Sequence, residues 1–179
     1  MAKTYTLHVA GLTRELPICK INDHLDIAAF IMFSDVELTI ACAKALLEKC
    51  PDFDVILTAE AKGIPLAYEM SRQSGKQWIP ARKGVKGYMA DPVIVEDQSI
   101  TTAGKQTLVI DKKDLDYMNG KRILVVDDVI STGGSLHALD ALAARSSGTI
   151  VAQAAVLVEG DAAERKDIIF LEPLPLFFH

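Results

Sequence analysis

The stretch of sequence that decides the fold is residues 123–135, which read ILVVDDVISTGGS. It opens with four apolar residues, the pattern of a strand buried on both faces of a parallel sheet, and two adjacent carboxylates follow. A loop of hydroxyl-bearing and glycine residues then leads into the helical spacing of residues 134–145. Because ligands of open α/β sheets bind beyond the carboxyl ends of the strands, we expect the functional site at this turn.

Strand-like and helix-like segments alternate on both sides of this string. The predicted strands are residues 54–58, 77–81, 105–110, 122–127, 150–158 and 168–171. Further helices are predicted after a capping box formed by Ser34 and Glu37, and from Pro65. The first thirty residues alternate in a way that predicts a hairpin. We therefore expect an α/β fold, with an open, mostly parallel sheet and helices on both faces.

Length and composition limit the classes of protein that fit. With 179 residues, 50% of them hydrophobic and 24% charged, the chain is expected to form one globular domain over residues 1–179. The net charge of −5 argues against a nucleic-acid partner, since duplex binding depends on neutralising phosphates with Lys and Arg. No apolar run approaches the roughly 20 residues of a membrane helix. Three cysteines without paired spacing indicate a reducing compartment, so we expect a cytoplasmic protein.

The loop after the carboxylates has the chemistry of a phosphate cradle. Its backbone N–H groups can turn toward one point, its hydroxyls add donors, and the following helix contributes the positive end of its dipole. Glycine permits the close approach to the backbone that an anion needs. The cradle residues are Ser131, Thr132, Gly133, Gly134 and Ser135.

Asp127 and Asp128 add a second kind of chemistry beside that cradle. They can accept hydrogen bonds from vicinal hydroxyls or hold a divalent cation through water. A 5-phosphorylated ribose carries both a phosphate and a diol. The plainer alternative is a strand-end Asp that caps the next helix, followed by a glycine-rich turn. A Walker loop and a Rossmann fingerprint are excluded, because the chain contains neither glycine pattern.

Residues 123–135 resemble the phosphoribosyl-pyrophosphate (PRPP) binding motif of the type I phosphoribosyltransferases. The similarity extends over residues 34–158 and is nearest to the purine-salvage members of that family. Residues 58–63 (TAEAKG) resemble the family's pyrophosphate loop, in which a non-proline cis peptide occurs, and the resemblance puts that bond at Ala61–Lys62. Residues 80–84 (PARKG) resemble the Arg-Lys pair that meets pyrophosphate, and residues 84–104 the loop that closes over the site.

The resemblance implies a role for each of these segments. It assigns catalysis to Asp127, Asp128, Arg82 and Lys83, and it assigns the 5′-phosphate of PRPP to the cradle. The residues implied to bind pyrophosphate are Glu60, Ala61, Lys62, Gly63, Arg82 and Lys83.

The resemblance also implies a hood over the base, formed by residues 1–33 and 160–179 around a core of residues 34–159. Base contacts are expected from Ile18, Cys19, Lys20 and Val129. The closing loop departs from the adenine-type pattern, because residues 98–104 (QSITTAG) lack the Glu that those enzymes carry there. The apolar tail, residues 174–178, could pack on the hood, close the base pocket or dock on a partner subunit.

The implied function is transfer of the 5-phosphoribosyl group of PRPP to a purine base, adenine first and xanthine or another 6-oxopurine second. The products would be a nucleoside 5′-monophosphate and pyrophosphate. Mg²⁺ would enter as a complex with PRPP, without a dedicated set of protein ligands, and the enzyme would be a homodimer. The alternative is a regulatory protein that uses the same fold to sense PRPP or a nucleotide without turnover.

Overall fold

The computed structural model describes residues 3–97 and 106–179, and it is built around a sheet of five parallel strands. In chain order the elements are β1 (Thr4–Val9), β2 (Leu12–Asn22), β3 (Leu25–Ala28), α1 (Val36–Lys49), β4 (Val55–Ala59), α2 (Ile64–Ser74), β5 (Gln77–Ala81), β6 (Pro92–Asp97), β7 (Gln106–Asp111), α3 (Lys112–Tyr117), β8 (Arg122–Ile130), α4 (Gly134–Ala143), β9 (Thr149–Glu159), a 3₁₀ helix (Gly160–Glu164), β10 (Ile168–Leu174) and β11 (Leu176–Phe178). The central sheet has the order β10-β9-β8-β4-β5, and every neighbouring pair is parallel. The predicted α/β fold is confirmed.

Each face of the central sheet is covered, because alternate side chains of its apolar strands point to opposite faces. Val55 and Leu57 of β4 belong to one buried cluster with Leu139 of α4. Ile56, between them, belongs to the other cluster with Leu46 of α1. All five side chains are fully buried. Burial of each such side chain stabilises the fold by roughly 1.5–3 kcal/mol, so a strand that is apolar throughout is required here.

Helix α1 begins one residue later than the predicted capping box. The cap is Asp35, whose side chain accepts a hydrogen bond from the N–H of Leu38 at 3.0 Å. The prediction of Ser34 as the cap was wrong, because Ser34 adopts a left-handed conformation with φ of +68° and precedes the cap. Arg14 of β2 pairs with Asp35 at 2.7 Å and so connects the N-terminal hairpin to the start of this helix.

The stretch 84–104 contains a strand that its composition does not predict. β6 pairs antiparallel with β7, and Val95 is buried while Ile94 is exposed. Pro92 is the first residue of β6, a position where a missing backbone N–H is tolerated. Residues 98–104 are part of the expected closing loop, and they are the stretch in which the adenine-type Glu is missing. They lie outside the described residues.

A separate four-stranded sheet, which we call the terminal sheet, has the order β1-β2-β3-β11. The predicted N-terminal hairpin is confirmed as β1 and β2. β11 pairs antiparallel with β3, and Phe177 lies edge-on to Tyr5 with 6.1 Å between ring centroids. The apolar tail therefore packs on the N-terminal strands. Only Pro175 separates β11 from β10, so the C-terminal segment contributes to both the terminal and the central sheet.

No helix within residues 3–97 and 106–179 combines the length and the apolar character that a membrane span requires.

Candidate active site

Two adjoining cavities open at the carboxyl end of β8. The carboxylate cavity has a volume of about 780 Å³ and the cradle cavity about 300 Å³. Asp127, Val129 and Ser135 line both of them. The other residues of the carboxylate cavity are Ala59, Glu60, Ala61, Lys62, Lys83, Thr107, Leu108 and Asp128. The other residues of the cradle cavity are Ile130, Ser131, Thr132, Gly133, Gly134 and Leu136. The structure therefore brings the carboxylates, the cradle and the loop after β4 together.

The two carboxylates differ in exposure and in partners. Asp128 is only 2% exposed, and its Oδ2 lies 3.1 Å from Nζ of Lys62. Oδ1 of Asp127 accepts a hydrogen bond from the backbone N–H of Asp128 at 2.9 Å. Burial, and then the neighbouring Asp128 carboxylate, raise the pKa of Asp127 well above its usual range. A hydroxyl donor or a cation in the cavity would therefore stabilise the charged form of Asp127.

Two buried oxygens at this site lack hydrogen-bond donors among the described residues. They are Oγ1 of Thr58, on β4, and Oδ2 of Asp128, whose ion pair with Lys62 does not have the geometry of a hydrogen bond. Buried polar atoms nearly always have a hydrogen-bond partner. A ligand that carries hydroxyl donors is therefore complementary to Asp128.

The turn after β4 contains a cis peptide bond between Glu60 and Ala61. The assignment of this bond to Ala61–Lys62, made by resemblance, was wrong by one residue. The backbone N–H of Glu60 still donates to the carbonyl of Ala81 on β5 at 2.8 Å. The chain therefore leaves the sheet directly after residue 60, and the turn begins at the bond that follows.

Gly63 fits against β4 and β8 only because it has no side chain. A Cβ atom on residue 63 would stand 2.4 Å from Oγ1 of Thr58 and 3.1 Å from Oδ1 of Asp127. The pyrophosphate-type loop therefore lies so close to the Asp127 carboxylate that there is no room for a side chain on residue 63. α2 begins at the next residue, so the same glycine also sets where that helix starts.

Arg82 and Lys83 follow β5 and have different partners. Nε of Arg82 is 3.1 Å from Oε2 of Glu60, and its Nη1 donates to the Tyr88 hydroxyl at 2.6 Å. Lys83 donates its backbone N–H to Glu60 at 2.9 Å. Arg82 first, and the N–H of Lys83 second, lower the pKa of Glu60 to about 2. Lys83 lines the carboxylate cavity and Arg82 lines neither cavity, and the Lys83 ammonium has no ion pair within residues 3–97 and 106–179.

The cradle turns at Gly133, which has φ of +80° and precedes the first residue of α4. No side chain caps the first N–H groups of α4, and its first turn carries no acidic residue. These N–H groups remain available to an anion. A Cβ on residue 133 would stand 3.2 Å from Nη1 of Arg165, so a guanidinium lies beside the cradle. Arg165 also donates from its Nε to Asp167 at 3.0 Å.

The four residues expected to contact the base lie in different places. Val129 lines both cavities. Ile18, Cys19 and Lys20 lie on β2, where they pair with β3, and they line neither of these cavities nor the third cavity described below. Lys20 is exposed and forms an ion pair with Asp23 at 2.7 Å. The structure therefore does not bring these three residues to the carboxylate pair.

Several residues that the sequence did not single out line the cavities near the site, among them two of β7 and two near the end of β9. Thr107 and Leu108 of β7 reach the carboxylate cavity because Arg82 and Val109 form a bridge between β5 and β7. Glu159 and Arg165 line a third cavity that also contains Ser131 and Thr132. Of these, Glu159 could have been identified from the sequence, because it is a carboxylate that follows an apolar strand segment, as Asp127 is.

A divalent cation is compatible with the carboxylate pair. Mg²⁺ prefers oxygen ligands and usually combines one or two carboxylates with substrate phosphates and water. Asp127 and Asp128 offer such oxygens, and Oδ2 of Asp128 lacks a hydrogen-bond donor in the described structure. Among the described residues, no cluster of three or more His, Cys, Asp and Glu side chains could hold an ion by itself.

The sequence of this chain is similar to those of known proteins. Residues 37–171 match the model of the phosphoribosyl transferase domain. The adenine phosphoribosyltransferase of Malacoplasma penetrans (strain HF-2) is 31% identical over 110 residues, which are 62% of this chain and 61% of that protein. The chain therefore spans about three-fifths of the length of this relative. The adenine phosphoribosyltransferase of Rhodococcus jostii (strain RHA1) is 31% identical over 126 residues, 70% of this chain and 69% of that protein.

A solved structure has the same fold. The crystal structure of adenine phosphoribosyltransferase from Thermoanaerobacter pseudethanolicus matches with a TM-score of 0.68 and 23% identity, over 79% of this chain and 84% of that one. That likeness covers the α/β architecture around a five-stranded parallel sheet. The match of residues 37–171 to the family model, together with the Rhodococcus relative, shows that this chain belongs to the phosphoribosyltransferase family.

Proposed function

We propose that the protein is an enzyme that transfers the 5-phosphoribosyl group of PRPP to adenine, giving AMP and pyrophosphate. The observation that carries this proposal is that the buried carboxylate pair, the anion cradle and a lysine-bearing loop surround two adjoining cavities. A diol, a phosphate monoester and a pyrophosphate on one small molecule match these three features. Adenine is chosen as the base because the relatives reported above are named for it.

The 5′-phosphate binds to the cradle of Ser131–Ser135. It takes no part in the bond changes at the reacting carbon, and its binding holds the ribose in position for them. Asp127 and Asp128 accept hydrogen bonds from the ribose hydroxyls. The pyrophosphate lies along the loop of Glu60–Gly63, where Lys62 and Lys83 line the carboxylate cavity. The Arg82 guanidinium pairs with Glu60 of this loop, so Arg82 acts as a positioning residue for the loop.

In the reaction, the bond between C1 of the ribose and the pyrophosphate oxygen breaks, and a bond forms from C1 to a ring nitrogen of adenine. That nitrogen gives its proton to water or to the departing pyrophosphate, which leaves with the electron pair of the broken bond. Positive charge grows on the ribose, as in glycosyl transfer generally, and the Asp127–Asp128 pair stabilises it. Negative charge grows on the leaving group, and the ammonium groups of Lys62 and Lys83 stabilise that charge.

Asp127 and Asp128 are the residues that would hold Mg²⁺ bound to PRPP, directly or through water. When bound, the cation supplies positive charge to the leaving pyrophosphate. Lys62 and Asp128 both face the carboxylate cavity, so their ion pair rearranges when PRPP binds there with its cation.

The remaining features of the proposal concern the enzyme as a whole. The terminal sheet is the hood over the base in a single domain of residues 1–179, and the loop expected to close over the site begins at residue 84. The enzyme is a homodimer, supported by exposed apolar side chains around α1 and α2. Those side chains are Ile31, Phe33, Val36, Ile40 and Tyr68. Cytoplasmic location is supported by three free cysteines, which suit a reducing compartment.

The test is incubation of the full chain with PRPP, Mg²⁺ and one base at a time, with the nucleotide separated by chromatography. We expect AMP from adenine, and slower or no product from hypoxanthine, guanine and xanthine. Product from orotate or uracil alone would refute the assignment to purines. PRPP binding without product from any base would favour a sensor of PRPP.

A further inference from the structure

A third cavity, which we call the terminal cavity, lies between the terminal sheet and the carboxyl ends of β9 and β10. Its volume is about 1130 Å³. Its apolar residues come from both sheets and from the 3₁₀ helix: Tyr5, Ala162, Ala163, Pro173, Leu174, Pro175, Leu176 and Phe178. Ser131 and Thr132 line both this cavity and the cradle cavity. A flat apolar ligand in the terminal cavity would therefore lie next to a phosphate in the cradle.

Glu159 is a half-buried carboxylate that lines this cavity. It is the last residue of β9, in register with Leu174 of β10, one residue beyond the pair of Val158 with Ile130 of β8. That register puts it level with the first cradle residue, Ser131. The charges of Lys62 and Asp128, which line the carboxylate cavity, also act on the pKa of Glu159, so Glu159 lies near that cavity as well.

The Glu159 carboxylate is half-buried and has no hydrogen bond or ion pair within the described residues. The nearby cations are already engaged, because Lys62 pairs with Asp128 and Arg165 pairs with Asp167. The remaining carboxylate of the cavity, Asp161, is exposed. Half-buried carboxylates without a donor are unfavourable, and burial raises the pKa of Glu159. An N–H donor from a ligand would relieve that penalty.

We propose that Glu159 determines the base specificity of the enzyme by accepting a hydrogen bond from the exocyclic amino group at C6 of the purine. This inference rests on the proposed function and names the subsite that selects the base. The apolar wall of the terminal cavity covers the faces of the ring, while the carboxylate faces its amino edge. A 6-oxopurine presents a carbonyl oxygen at the same position, and two acceptors facing each other repel. The residue thereby favours adenine over hypoxanthine.

The variant that tests this is Glu159→Gln, which keeps the shape of the side chain and replaces one acceptor with a donor. Calorimetric titrations of adenine and of hypoxanthine into the protein with ribose 5-phosphate measure binding whether or not turnover occurs. We expect adenine affinity to fall by roughly 10-fold, because the remaining amide oxygen can form only a neutral hydrogen bond in place of a charged one, and hypoxanthine affinity to stay or rise. Glu159→Asp should keep the preference for adenine in part.

Glu164→Gln is the matched control, because Glu164 is exposed on the same connecting segment and lines none of the three cavities. It should bind both bases as the unchanged protein does. Ribose 5-phosphate affinity should be unchanged in all three variants, and Glu159→Gln should not unfold at a lower temperature than the unchanged protein, because it removes a half-buried charge. An unchanged ratio of adenine to hypoxanthine affinity in Glu159→Gln would overturn the inference. Failure of the unchanged protein to form any nucleotide would instead refute the proposed function, and the binding ratio would still decide the role of Glu159.

Discussion

Gly63 lies so close to Asp127 that a Cβ on residue 63 would stand 3.1 Å from Oδ1 of that carboxylate. This proximity brings together the loop that we propose for pyrophosphate and the carboxylate that we propose for ribose. The relative position of these two segments therefore depends on the absence of a side chain at residue 63. The same Cβ would stand only 2.4 Å from Oγ1 of Thr58, which is fully buried and cannot move into solvent.

We therefore predict that Gly63→Ala lowers kcat/KM by about 100-fold, since a displacement of about 1 Å in a positioned site has that effect. Steady-state kinetics with PRPP and adenine measure it. Gly75→Ala is the control, because residue 75 follows the other end of α2 and a Cβ there meets nothing within 4 Å. Equal activity of the Gly63 and Gly75 variants would mean that Gly63 does not position the loop.

Asp127 should make the stability of the ligand-free protein fall as pH rises. Its pKa is raised in the folded state above the ordinary value of about 3.9, so between these two values the folded state binds more protons than the unfolded state. The free energy of unfolding therefore decreases through that window and levels off above the folded pKa. Asp127→Asn removes the titrating carboxylate, so the variant should not lose unfolding free energy through this group as pH rises. Urea unfolding at pH 4.5 and pH 8 should show the variant gaining stability over the parent at the higher pH, whereas an equal difference at both would contradict the shift.

Lys83 should carry affinity for the pyrophosphate part of PRPP. Its ammonium has no ion pair within the described residues and it lines the carboxylate cavity. Lys83→Gln should raise the KM for PRPP by roughly 10-fold or more, the effect of a lost charged hydrogen bond. Lys44→Gln, on the exposed side of α1, should leave it unchanged. Product inhibition by pyrophosphate should weaken in parallel, and inhibition that stays as strong would place the pyrophosphate elsewhere.

Asp35 should contribute to stability rather than to catalysis. It caps α1 through the N–H of Leu38 and pairs with Arg14 of the N-terminal hairpin. Asp35→Ala should lower the free energy of unfolding by about 1 kcal/mol, the usual effect of losing a helix cap. Asp23→Ala, which breaks an exposed pair with Lys20, should have almost no effect in the same denaturation experiment. Similar losses in both variants would argue against the cap.

The central sheet and the anion cradle could be predicted because their patterns are local. The apolar run of β8 needs burial on both faces, and the adjacent carboxylates and glycines occur within one short string. The capping residue of α1 could not be chosen between Ser34 and Asp35 from types alone, because both residues are good caps. What decided it was the backbone conformation of Ser34 and the guanidinium of Arg14, which arrives from another element.

The partners within the site could not be predicted, because they depend on strand pairing. Glu60 holds Arg82 only because β4 and β5 pair in parallel and end side by side. The strand β11 is visible in the sequence only as an apolar tail, and its pairing with β3 brings the two ends of the chain together. That pairing forms the wall of the terminal cavity, which explains why Glu159 was not among the expected base contacts.

Exchange of pyrophosphate for a base at this site can be measured as pyrophosphate released from PRPP and Mg²⁺ with and without adenine. We expect release only when adenine is present, in equal amount to the AMP formed. The double variant Asp127→Asn, Asp128→Asn should lose both products while keeping its fold. Binding of PRPP by the unchanged protein without release of pyrophosphate, whichever purine is added, would show that the protein is not a purine phosphoribosyltransferase.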